Sequence, residues 1–337
     1  MSNAASGAAS GLRHPTPSTP SSLGTPRRAV LDSLAGWLLA GPSVLALTVL
    51  LLLPTATLLL ASLTDYELGG PPLRWIGLDN YAELLRDPAF RGALRNTLVY
   101  VGAVLPLSVT LGLGLALLVE GGTRGRMLFR AVFFLPVVSL LVAMATAWEY
   151  LLHPTIGPVN RLLGLLGVAP VNWLGSSEWV LTSLCMIGVW ENLGYVVVLF
   201  MAGLTAIPPE LRAAAETDGA ARVWDRFWLV TWPLLGPTTL FVVTITAIRC
   251  LRVFDTVAAL TQGGPNKASE VLLHLMYLEG FTYFRIGYSA AITAVFLAVV
   301  LGLVLLQTRV LERRVHYGLT ARLPPTCRAC CFCPWRH

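Results

Sequence analysis

Long apolar blocks alternate with short polar stretches along this chain. A helix needs about 20 apolar residues to cross the hydrocarbon core of a bilayer. Six blocks meet or approach that length: Trp37–Leu63, Asn96–Val119, Ala131–Trp148, Trp179–Ile207, Leu229–Ile248 and Ile286–Thr308. The first, second and sixth contain no charge, and the third is uncharged up to Glu149. The fourth carries Glu191, and the fifth carries Pro233 and Pro237 near its start, so its helix is expected to begin after them. The pattern predicts an all-α integral membrane protein. Its six transmembrane helices are expected near 37–63, 96–119, 131–152, 179–207, 234–258 and 286–308, in one domain spanning 31–314.

The flanks differ from the core. Residues 1–30 are rich in Ser, Pro, Thr, Ala and Gly and cannot bury a core, so a disordered tail is expected there. This stretch is too long and polar for a usual signal peptide, and the first apolar run is read as a retained span. Residues 315–337 form a second tail, holding Cys327, Cys330, Cys331 and Cys333. Four thiols match a metal in number, but Cys330 and Cys331 are adjacent and no second knuckle follows, so no metal is expected. Cys185 and Cys250 lie within apolar blocks and read as packing residues.

Composition excludes other classes. Hydrophobic residues make up 55% of the 337 and charged residues only 12%, too few to cover a water-soluble globule. The formal charge is +6, with Lys267 the only lysine among 24 basic residues. The arginines are scattered between apolar blocks without interleaved aromatics, so no nucleic-acid partner is expected. With both termini inside, 15 of the basic residues lie on the cytoplasmic side and 7 outside. The positive-inside rule therefore predicts cytoplasmic N and C termini.

The cytoplasmic stretch 208–233 stands apart. Pro208 and Pro209 suit a helix start, and Glu210 sits where the helix dipole favours an anion. Leu211, Ala213, Ala214 and Ala215 favour helix and present short side chains. Gly219, after Asp218, suits a left-handed stop before Ala220. A second helix follows, with Trp224, Phe227 and Trp228 as an apolar face. The segment is thus a helix–turn–helix. It could lie on the bilayer as an amphipathic loop or enter a groove of another protein.

The residues Pro209, Glu210, Leu211, Ala214, Ala215, Asp218, Gly219, Ala220, Phe227, Pro233, Leu234 and Pro237 follow a known pattern. The stretch resembles the EAA loop of binding-protein-dependent ABC importer permeases of the carbohydrate class. Ala213 stands where the motif has Glu, and Trp232 where it has Leu. Phe254–Leu272, with Gly263-Gly264-Pro265, Tyr277, Phe281 and Gly287–Ala291, resembles the maltose-type or glycerol-phosphate-type first permease subunit. The resemblance implies a type I importer permease fold and a cytoplasmic coupling loop at 208–233. It also implies a second permease subunit, an ATPase dimer and an extracytoplasmic solute-binding protein as partners. A bacterial inner or plasma membrane location, a lipid surround and a sugar substrate follow. ATP and Mg would belong to the ATPase, leaving this chain without a cofactor.

The chain lacks the G-x-x-x-x-G-K-[ST] phosphate loop, because Lys267 lies between Asn266 and Ala268. It is therefore not expected to be an enzyme. Ionisable residues inside a membrane are costly and often functional. Glu191, Asn192, Tyr195, Arg249 and Asp255 are candidates for the substrate path, with Trp190 and Tyr195 positioned to stack a sugar ring. Interface snorkelling, or an Arg252–Asp255 pair, would explain these charges structurally. The Gly263-Gly264-Pro265 turn is either a contact near the outer gate or a plain loop. An ion-coupled secondary transporter is the alternative function, and another polar solute such as glycerol phosphate the alternative cargo. No repeat between the halves favours the secondary transporter.

Overall fold

The computed structural model describes residues 38–121, 140–220 and 222–311. The tails at 1–30 and 315–337, Trp37, the basic turn 122–130 and residues 131–139 of the third expected span lie outside the described residues. Among the described residues four helices are long and apolar enough to cross a membrane, and a bent helix pair makes up to five. They contain helices and one isolated β-bridge between Thr64 and Trp75.

The chain divides into two compact units at Ala56–Thr57. The first holds most of α1 (Leu38–Ala61), with a π-helical turn at Thr48–Leu52. Its polar side chains bond within the helix: Thr48 Oγ1 donates to Val44 O at 2.8 Å and Thr55 Oγ1 to Leu51 O at 2.7 Å. In lipid such groups have no water to turn to.

The second unit runs on from Thr57 at the end of α1 to α2 (Asp79–Arg86) and α3 (Pro88–Gly121). The long helix α3 starts eight residues before Asn96, where the apolar block begins. Asp87 explains the earlier start, since its Oδ1 accepts from Ala89 N at 2.8 Å and Pro88 takes the first helical position. After α4 (Leu141–Leu151) and the short α5 (Pro158–Leu165) comes α6 (Val180–Thr205). Two more helices, α7 (Pro209–Thr217) and α8 (Val223–Leu234), precede α9 (Gly236–Leu251). The fifth expected span was to start cleanly after its prolines. Instead α8 meets the following helical stretch at a bend of 69°. The chain then breaks at Arg252–Phe254, before α10 (Asp255–Leu260). Helices α11 (Leu272–Tyr277, extended by a π turn to Thr282) and α12 (Ile286–Leu311) complete the unit.

Helices α3 and α6 pack most extensively, and α9 joins both. Glycines permit this closeness. A methyl at Gly112 would overlap Val196, and one at Gly188 would overlap Tyr100 Oη. Three apolar clusters stack along the helices. Val196, Phe200, Leu204 and Val242 form one, Val104, Leu184, Cys250 and Val257 the next, and Leu84, Leu272, Leu275 and Ile292 the third. Outward positions such as Leu107, Leu118, Leu301 and Leu306 are exposed and apolar, as a lipid-facing surface requires.

Candidate functional site

Polar residues from α3, α6 and the α9–α10 break meet around one cavity of about 230 Å³. Its walls include Tyr100, Glu191, Asn192, Arg249, Arg252 and Asp255. Asn192 is buried at 4% exposure, and its Nδ2 donates to Gly188 O at 2.8 Å. That leaves Oδ1 to accept from Arg249 Nε at 3.1 Å. The guanidinium also lies 3.9 Å from Glu191 Oε1 and 5.2 Å from the centre of the Tyr195 ring. Arg249 thus gathers Glu191, Asn192 and Tyr195, from which it is separated in sequence by two whole helices, α7 and α8. Asp255 opens α10 and also lines the cavity. Arg252 and Asp255 both line the cavity but form no ion pair with each other, so that structural reading of the two charges is corrected. Trp190 faces Trp148 of α4 edge-on at 5.4 Å. Tyr100, Val253, Phe254 and Thr256 complete the walls; Phe254 and Thr256 belong to the Phe254–Leu272 run, but none of the four was a candidate for the substrate path. An aromatic residue inside an apolar block gives no signal of its own.

The arrangement offers guanidinium donors, carboxylate and amide acceptors, and aromatic faces in one confined space. It can hydrogen-bond a hydroxyl-rich solute without a metal. Among the described residues no group of three or more His, Cys, Asp or Glu is placed to hold one.

The Gly263-Gly264-Pro265 turn packs over a buried pair. His274 Nδ1 and Glu270 Oε1 are 2.6 Å apart, and the residues are 4% and 3% exposed. Gly263 has φ +79°, and a methyl there would overlap Glu270 Oε2, so both conformation and space demand glycine. Asn96 of α3 donates to Ala268 O at 3.1 Å and Glu270 O at 2.9 Å, and Thr97 Oγ1 accepts from Leu272 N at 2.9 Å. The turn is thereby fixed to the same end of α3. The i, i+4 spacing of Glu270 and His274 is the sequence signal for this pair. Nearby, Arg285 Nη2 donates to Glu83 Oε1 at 2.6 Å and Nη1 approaches Glu279 Oε2 at 3.4 Å. Burial pushes the Glu279 carboxyl above its ordinary range, with Arg285 partly offsetting it. Burial works to lower the Arg285 pKa, but the Glu83 hydrogen bond and charge leave it raised.

At the other end, α7 carries Glu210, Leu211, Ala213, Ala214 and Ala215 on a nine-residue helix. Leu211 is 44% exposed, and Ala213 and Ala214 are exposed. Such a helix is too short to be stable alone. It is held at its ends, where Ile207 and Ala220 are each 7% exposed. Asp218 caps it and Gly219 turns with φ +97°. Ala220 N then donates to Ala215 O at 2.9 Å and Gly219 N to Glu216 O at 3.3 Å, a Schellman closure. Glu216 pairs with Arg226 of α8, an ion pair that joins the two arms.

A family model described as "Binding-protein-dependent transport system inner membrane component" matches residues 108–317. The chain belongs to this family. It is therefore an ABC importer permease, and the ion-coupled alternative is not favoured. It is 34% identical over 252 residues to the probable ABC transporter permease protein YurN of Bacillus subtilis, covering 74% of this chain and 86% of that one. To the sn-glycerol-3-phosphate transport system permease protein UgpA of Agrobacterium fabrum it is 30% identical, covering 84% and 96%. A chain from the crystal structure of a bacterial ABC transporter involved in import of the acidic polysaccharide alginate superposes with a TM-score of 0.73. That match is at 25% identity and covers 85% of this permease and 99% of the other chain. This permease is a transport component of the inner membrane.

Proposed function

We propose that this permease forms half of the membrane pathway of an ATP-driven importer for a sugar or sugar-like polyol. The cavity at Glu191, Asn192, Arg249 and Asp255 lies on that pathway, and its mixed donors, acceptors and aromatic rings carry this reading. Relatives named for sn-glycerol-3-phosphate and for sulfoquinovosyl glycerol support a polyol-bearing cargo. The second half is a different permease subunit with its own spans. An extracytoplasmic binding protein delivers the solute. A related alginate transporter in complex with a pentasaccharide-bound periplasmic protein supports that partner.

With six spans both termini lie on one side, and the excess of basic residues there supports the cytoplasm as that side. Within residues 208–233, α7 then faces a separate ATPase dimer, which holds ATP and Mg. The short side chains of α7 let that helix seat closely in an ATPase groove. Gly219 lets the chain reverse without strain, so α7 moves as one lever. Ala213 in place of the motif glutamate removes one salt bridge to the ATPase but keeps the helical shape.

The test is purification of the tagged chain in lipid, native and Gly219→Pro, with ATP hydrolysis and uptake measured. The expected result is a co-purified ATPase whose hydrolysis becomes uncoupled from uptake in the variant. Uptake without any ATPase, indifferent to Gly219, would overturn the reading.

A further inference from the structure

Helix α8 carries three tryptophans four residues apart, Trp224, Trp228 and Trp232, so all lie on one stripe. The rings contact one another: Trp224 and Trp228 at 5.8 Å, Trp228 and Trp232 at 5.8 Å, with Phe227 5.3 Å from Trp228. The ladder is preformed yet uncovered, at 67%, 49% and 39% exposure for the three tryptophans in order. Val223 and Leu229 of the same helix are also exposed. The helix leads through its 69° bend into an apolar span. Between α8 and the end of α3 lies a cavity of about 460 Å³. Leu117, Val223, Trp224 and Phe227 give it apolar walls, and Glu120 and Arg226 are also in its lining.

We propose that this ladder is a lipid-docking surface: α8 lies in the membrane interface, with its tryptophans among the phospholipid headgroups and the end of an acyl chain in the cavity. Tryptophan concentrates at that depth because its ring is apolar and its N–H polar. The surface is continuous with an apolar span and carries the exposed Arg222 at its start, suited to a phosphate. Through the Glu216–Arg226 pair, lipid-held α8 becomes the fixed arm against which α7 turns. The inference rests on the proposed coupling role for the direction it faces, though not for lipid contact itself.

The test uses the complete transporter in liposomes whose phospholipids carry bromine near the headgroup or deep in the chain. Emission is compared between native protein and the Trp224→Phe, Trp228→Phe, Trp232→Phe variant, with the single Trp224→Phe variant as a fold-preserving check. The ladder's contribution is expected to be quenched by shallow bromines more than by deep ones. The same contribution should be lost from both variants in proportion to the rings removed. A ladder contribution insensitive to bromine at every depth means a protein covers it, and would overturn the proposal. Liposomes brominated in one leaflet separate the two readings. Quenching from the leaflet opposite the ATPase upholds lipid docking and contradicts the coupling geometry.

Discussion

Removing the Arg249 side chain is the sharpest perturbation of the cavity. The guanidinium makes one short hydrogen bond, to Asn192 Oδ1 at 3.1 Å, on a residue only 4% exposed. A hydrogen bond to a charged group contributes about 1.5–3 kcal/mol. The Glu191 carboxylate is farther, at 3.9 Å, and the two side chains are 40% and 32% exposed. Solvent screens such a pair to about 0–1 kcal/mol. Stacking on Tyr195 adds about 0.5–1 kcal/mol at a partly exposed site. The Asn192 bond therefore dominates, and it can be isolated by a double-mutant cycle with Arg249→Met and Asn192→Leu. Unfolding of the purified protein in detergent should give a coupling of about 1.5–3 kcal/mol, a roughly ten- to hundred-fold change in the unfolding equilibrium. Both single variants should also lose uptake. A coupling below about 0.5 kcal/mol would mean the two residues act independently, and the cavity would not be organised by Arg249.

Gly188→Ala should destabilise by about 1–3 kcal/mol because its methyl overlaps Tyr100 Oη. By contrast, Gly102→Ala on the same face-forming helix pair, with nothing within 4 Å, should stabilise by up to about 1 kcal/mol in the same unfolding assay. Gly219→Ala meets open space but keeps φ +97°, so it should cost about 1–2 kcal/mol locally and show faster amide exchange across α7. Glu279 has its folded pKa raised above the ordinary 4.5 by burial, so the folded form binds its proton more tightly. Its contribution is complete below the unfolded pKa and lost as pH rises through the folded one. Subtracting the Glu279→Gln profile from the native profile should show that decline, and a rising difference would contradict the burial.

Much of the helical order is legible because the charges are so sparse. An uncharged block the length of Ile286–Thr308 has few other fates, and it lies within α12. The Asp218-Gly219 stop is equally readable, since it depends on local backbone chemistry alone. Hydropathy hides the start of α3, because Arg91 and Arg95 interrupt the apolar block while the Asp87 cap sets the true beginning. It also hides the bend before α9, where helix runs through Pro233 to Leu234 and breaks at Leu235. For the cavity, intramembrane polarity marks Glu191, Asn192 and Arg249 individually. Their meeting depends on how α6 and α9 pack, and that packing depends on pairings such as Gly203 with Thr238, where a methyl would stand 2.6 Å from Thr238 Oγ1.

The most direct measurement is uptake of a labelled polyol into liposomes holding the complete transporter, with ATP inside and the loaded binding protein outside. Uptake is expected only when both are present. Asn192→Leu should abolish it while basal ATP hydrolysis persists, since α7 and its Gly219 turn are untouched. Uptake that proceeds on an ion gradient without ATP, or that ignores Asn192→Leu, would contradict the role assigned to this permease.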